Sequence, residues 1–133
     1  MFIEDFVAVR RNVLITNAWL ISHGEELIRA AAPVATGWEL GTPRTRADVL
    51  VLPLNLNAAR PSPFTDFQGD LQTARLEPEV THLSLSGSCD IHVEPPGRRP
   101  QEHAAQRVAE QAIREFLGRL AVLLEARSGP PPD

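Results

Sequence analysis

Between Val80 and Val93 apolar and polar residues alternate with a period of two, and this stretch constrains the fold more than any other. Leu83, Leu85, Cys89 and Ile91 fall on one side with Gly87 among them, while His82, Ser84, Ser86, Ser88, Asp90 and His92 fall on the other. Such alternation predicts a strand with one face on a core and the other in water. Half-solvated strands belong to antiparallel sheets, because parallel sheets are covered on both faces. Two earlier segments agree. Asp48 to Asn57 sets Leu50, Leu52, Leu54 and Leu56 on one face and Pro53 on the other, where its missing N–H implies an edge or a bulge. Thr65 to Leu76 sets Phe67, Gly69 and Leu71 opposite Asp66, Gln68, Asp70 and Gln72. With a loop over 58–63 and a turn at Glu77-Pro78-Glu79, these strands predict a meander with a solvated convex face.

The remaining elements flank that meander. Residues 2–9 read as a first strand and 34–40, ending in Trp38-Glu39-Leu40, as a short one, for about five strands in all. Two short helices are predicted between them. One covers 12–21 and the other 23–32, divided at Ser22-His23-Gly24-Glu25, which has the spacing of a capping box. Pro33 stops the second. After the break at Glu94-Pro95-Pro96-Gly97, a long amphipathic helix runs from about Gln101 to Arg127. Its apolar stripe is Ala105, Val108, Ala112, Phe116, Leu120, Leu123 and Leu124. Glu110–Arg114 and Glu115–Arg119 have the i,i+4 spacing of helical ion pairs. At 1.5 Å per residue the helix is roughly 39 Å long, enough to cross a four- or five-stranded sheet.

This is an α+β chain of one domain, 1–127, with a Pro-rich tail, 128–133, expected to be disordered. The 13 basic residues are all Arg, which points to a GC-rich, bacterial coding bias. Net charge of −4 argues against a nucleic-acid partner. One Cys rules out an intramolecular disulfide framework and a multi-cysteine zinc site. No run is apolar enough to span a membrane and the N-terminus lacks a signal-peptide core, so a cytoplasmic location is expected.

The order of strand, short helices, antiparallel meander and long final helix resembles the helix-grip fold of the START-like superfamily, also called Bet v 1-like, SRPBCC or polyketide cyclase. The resemblance rests on Gly69-Asp70-Leu71-Gln72 and the run from Leu76 to Gly87, then Pro95-Pro96-Gly97 with Val108-Ala109-Glu110 and Phe116-Leu117. It implies a curved sheet gripping the C-terminal helix, with a hydrophobic pocket between them. Members bind lipids, hormones or polyketides, and cyclase or dehydratase chemistry is what the resemblance suggests where there is catalysis. The family has no common catalytic residue to transfer, and no cofactor is expected for this chain.

Face assignment selects Trp19, Trp38, Leu52, Phe67, Leu71, Leu85, Phe116 and Leu120 as the expected lining for an apolar small molecule or lipid. The alternative is a structural or interaction module whose core is filled and whose function lies at a surface or in an oligomer, a homodimer being the simplest. No catalytic residue is identified. Ser84, Ser86 and Ser88 have no predicted base beside them. Asp90 and His92 supply only two metal ligands on the solvated face, with His82 too distant to be a third. Cys89 falls on the apolar face, where a free thiol acts as a small hydrophobe. His23 and His103 read as exposed residues at helix starts, and Arg44 and Arg46 as part of a solvated loop.

Overall fold

The computed structural model describes residues 2–10, 16–31, 37–47, 49–57, 64–77, 80–91 and 99–127. The expected tail 128–133, the loop 58–63, the turn at 78–79, the break 94–97 and the start of the first expected helix lie outside them. Strands β1 (Phe2–Arg10), β2 (Gly37–Leu40), β3 (Arg44–Arg46), β4 (Val49–Asn57), β5 (Phe64–Glu77) and β6 (Val80–Ile91) form one antiparallel sheet in the order β1-β6-β5-β4-β2, with β3 also on β4. Helices α1 (Asn17–Ala31) and α2 (Arg99–Arg127) cover one face.

The meander follows the alternation residue by residue. Leu50 pairs with Thr73, Leu52 with Leu71 and Leu56 with Phe67, and those β5 residues pair on with Leu83, Leu85 and Cys89 of β6. Pro53 also has the expected consequence. β2 pairs with Leu54–Asn57 and β3 with Val49–Val51, so the outer partner strand is interrupted opposite the proline, where only Gly41 N–H reaches its carbonyl at 2.9 Å. The interrupted edge makes the count among the described residues six rather than about five strands. It also corrects the loop expected at Arg44 and Arg46. Ala47, with φ of 54°, turns the chain back so that Arg-Thr-Arg pairs with β4 despite lacking an apolar face.

The two expected N-terminal helices are one, over the described residues. Thr16 is its cap: its hydroxyl accepts the Trp19 N–H at 3.1 Å and its carbonyl the Leu20 N–H at 3.1 Å. Ser22 to Glu25 lies inside the helix, because the apolar stripe Leu20, Gly24, Leu27, Ile28 and Ala31 continues through it. A hydroxyl and a carboxylate three apart are also simply one helical turn apart. Gly24 is unnecessary to this packing, since an added Cβ would meet Leu52 Cδ1 at 3.5 Å, an ordinary contact. Gly24→Ala should therefore stabilise the domain by about 0.5–1 kcal/mol, read as a rise in the urea midpoint.

Helix α2 starts with Pro100 in its first turn, a position that tolerates the missing N–H. Its buried face is Ala105, Ala109, Ile113, Phe116, Leu117, Leu120, Ala121 and Leu124. Val108 is 50% exposed and Ala112 only half-buried, so the stripe expected from sequence is rotated toward the wrong flank. The expected ion pairs also give way to longer-range partners. Arg114 lies 3.5 Å from Asp5 Oδ2, and Arg119 Nε donates to the Ala31 carbonyl at the end of α1 at 2.9 Å. These contacts join α2 to β1 and to α1, whereas an exposed i,i+4 pair contributes only ~0.3–0.5 kcal/mol. Helix α2 does not span the whole sheet: it lies over β1, β6 and β5, while α1 sits on the β4 side through Gly24 and Leu52.

Candidate ligand site between sheet and helices

The register sets the inner face in rows across the strands. The first holds Trp38, Leu56, Phe67 and Cys89, and the second Leu40, Leu54, Gly69, Gly87 and Ile3. The third holds Leu52, Leu71, Leu85 and Asp5, and the fourth Leu50, Thr73, Leu83 and Val7. Gly69 and Gly87 face each other directly, and Phe67 lays its ring over both. A Cβ on Gly69 would come within 2.9 Å of Phe67 Cζ, and one on Gly87 within 2.8 Å. An aromatic ring over cross-strand glycines lets the strands approach closely while keeping their backbone dry.

All eight residues expected to line a pocket belong to one apolar assembly, six as buried members and two packed against it. Leu52, Phe67, Leu71, Leu85, Phe116 and Leu120 are 4% exposed or less, so all six are buried between the sheet and the two helices. Trp19 and Trp38 are half-buried at its margin. Trp19 stacks on His23 with ring centroids 4.3 Å apart, and the Arg29 guanidinium lies 5.5 Å from the Trp38 ring centroid, within cation–π reach. Arg29 is also 3.7 Å from Glu25. His23 Nδ1 is 2.8 Å from the Trp19 carbonyl. A carbonyl only accepts, so Nδ1 carries the hydrogen and Nε2 keeps its lone pair in the neutral ring. His23 is thus part-buried against Trp19, not the exposed helix-start residue expected.

One polar group within the core is unmatched. Thr73, 3% exposed, buries Oγ1 without a hydrogen-bond partner among the described residues. A buried orphan hydroxyl costs about 1–3 kcal/mol. Thr73→Val should raise stability by about 1 kcal/mol, a melting-temperature increase of roughly 3 °C.

The polar candidates do not converge. His82 stacks on Phe6 on the outer face, with centroids 5.3 Å apart, and Ser84, Ser86 and Ser88 share that face. Cys89 is buried on the inner face, as expected. His103 is exposed. His92 and the Asp90 side chain lie outside the described residues, and no group of three His, Cys, Asp or Glu among the described residues is placed to hold a metal. The outer face carries a hollow that sequence reading missed, an open depression of about 280 Å³ bordered by Glu39, Asn55, Asn57, Asp66, Gln68 and Ser88. Polar residues on successive outward positions of β4 and β5 were its only signal. No helix among the described residues is long and apolar enough to cross a membrane.

Solved structures with the same layout decide the fold. The chain superimposes on the Zhui aromatase/cyclase of Streptomyces sp. R1128 with a TM-score of 0.57 and 14% identity, covering 96% of this chain and 94% of that one. The chain has the Bet v 1/START-like helix-grip fold. A Thermus thermophilus protein of this fold gives a TM-score of 0.60 at 10% identity over 97% of this chain and 100% of that one. A conserved Geobacillus kaustophilus protein gives 0.57 at 12% identity over 93% and 95%. No family model matches the sequence, and no curated protein matches it. In this helix grip α1 occupies the β4 side of the sheet, so among the described residues two helices close the grip.

Proposed function

We propose that this helix-grip domain binds an apolar small molecule or lipid on the inner face of its sheet, at the end marked by Trp38. The observation that carries the reading is the contrast in burial along that face. The aliphatic centre is closed, while Trp38, in one row with Leu56, Phe67 and Cys89, remains half-buried beside Arg29. A large aromatic surface next to a cation suits an apolar ligand with a polar or anionic end. Trp19, Leu52, Leu71, Leu85, Phe116 and Leu120 form the wall behind it in this reading. The fold likeness to a protein described as an aromatase/cyclase supports a ligand of polyketide size.

A second reading has its own support. The low exposure of the six central residues favours a filled core and a structural or interaction role. Thermal shift with fatty acids and aromatic polyketides separates the two. A ligand at a hundred times its Kd stabilises by about 2.7 kcal/mol, and Trp38→Ala should abolish that gain while leaving the unliganded protein folded. Absence of stabilisation by any of these ligands favours the filled core.

A further inference from the structure

We propose that the free edge of β1 is a pairing edge for a second copy of this chain, held closed by the carboxylates of Asp5 and Glu125. β1 ends the order β1-β6-β5-β4-β2, so among the described residues one side of it has no partner strand. The direction of its backbone groups follows from the register. The Ser86 carbonyl points at β5, because a Cβ on Gly69 would collide with it. Odd-numbered β6 residues therefore face β1, and their partners Ile3, Asp5, Val7 and Val9 bond to β6. Phe2, Glu4, Phe6, Ala8 and Arg10 direct their N–H and C=O groups to the free edge.

Such an edge is a template for another strand. Here two of its donors are occupied from within the chain. Phe6 N–H donates to Asp5 Oδ1 at 3.0 Å, and Arg10 N–H donates to Glu125 Oε1 at 3.2 Å. The other Asp5 oxygen lies 3.5 Å from Arg114, so α2 touches this cap as well as supplying Glu125. Caps at Phe6 and Arg10 break the row of edge-facing donors, so an incoming strand cannot form a continuous ladder along β1.

Charge and side-chain character identify the partner that fits once the caps are gone. In an antiparallel β1–β1 pair that sets Phe6 against Ala8, Glu4 stands opposite Arg10 in both directions. All four belong to the edge-facing set, so the hydrogen-bonding phase is correct, and opposite charges across a strand pair are favourable. The same pairing sets Phe6, which is 53% exposed on the outer face, diagonal to Phe6 of the second copy.

Sedimentation velocity on the full chain tests this. Wild type is expected to sediment as a monomer, and Asp5→Ala/Glu125→Ala as a concentration-dependent dimer of doubled mass. Arg114→Gln, which leaves the Asp5 to Phe6 bond, should remain monomeric. Adding Glu4→Arg to the uncapped variant should return it to monomer, and adding Arg10→Glu as well should restore the dimer. The proposal is overturned if the uncapped variant, folded by circular dichroism, keeps a monomer mass at every concentration, if its dimer ignores Glu4→Arg, or if wild type is already dimeric. Should Asp5→Ala impair folding, Glu125→Ala alone decides: a weaker dimer supports the proposal, and an unchanged monomer refutes it.

Discussion

Phe67→Ala should lower the stability of the domain by about 4 kcal/mol, measured by urea unfolding. Phe67 is among the largest fully buried side chains, and its ring covers the facing pair Gly69 and Gly87. Alanine removes the ring's own burial, leaves a cavity, and uncovers two stretches of strand that have no side chains of their own. Against a total of about 5–15 kcal/mol for a domain, the loss is large. Phe67→Leu, which keeps an apolar cover, should cost less than half as much. A loss below about 1 kcal/mol for the alanine variant would mean that the ring is not the keystone of the first two rows.

The second large effect is expected one row along, at Gly87. A Cβ there would stand 2.6 Å from Gly69 Cα and 2.8 Å from Phe67 Cζ, and would also meet the Gln68 carbonyl. Two of those obstacles are backbone, so a side-chain rotation cannot relieve them. Gly87→Ala should cost about 3 kcal/mol, at the upper end for overpacking, although it adds only one methyl group. Gly24→Ala adds the same methyl against a single ordinary contact and should stabilise. The opposite signs of the two variants in one denaturation series test the close-approach geometry directly.

The meander was legible because alternation reports directly on which side of a strand is wet. Leu50, Leu52, Leu54, Leu56, Phe67, Leu71, Leu83, Leu85 and Cys89 all lie where the period of two put them. What failed depends on partners distant in the chain. Helical spacing put Val108 on the buried stripe of α2, whereas packing on β1, β6, β5 and α1 buries Ala109 in its place. Arg114 and Arg119 have good local partners by spacing, yet Asp5 and the Ala31 carbonyl claim them. β3 was illegible because Arg44-Thr45-Arg46 carries no apolar signal and owes its pairing to the turn at Ala47. The candidate site was legible as a set of residues. Its degree of filling was not, because that depends on α1 running unbroken across the β4 side.

The central claim is that an apolar ligand binds on the inner face at Trp38. The chain has two tryptophans, so two-dimensional 1H–15N NMR shows two indole signals, assignable with Trp19→Phe and Trp38→Phe. Titration with a medium-chain fatty acid or an aromatic polyketide should shift the Trp38 indole in a saturable manner, together with the amides of Leu56, Phe67 and Cys89 in its row. Absence of any saturable shift, or shifts confined to Phe2, Phe6 and His82 on the outer face, would contradict the account and leave the domain with a filled core.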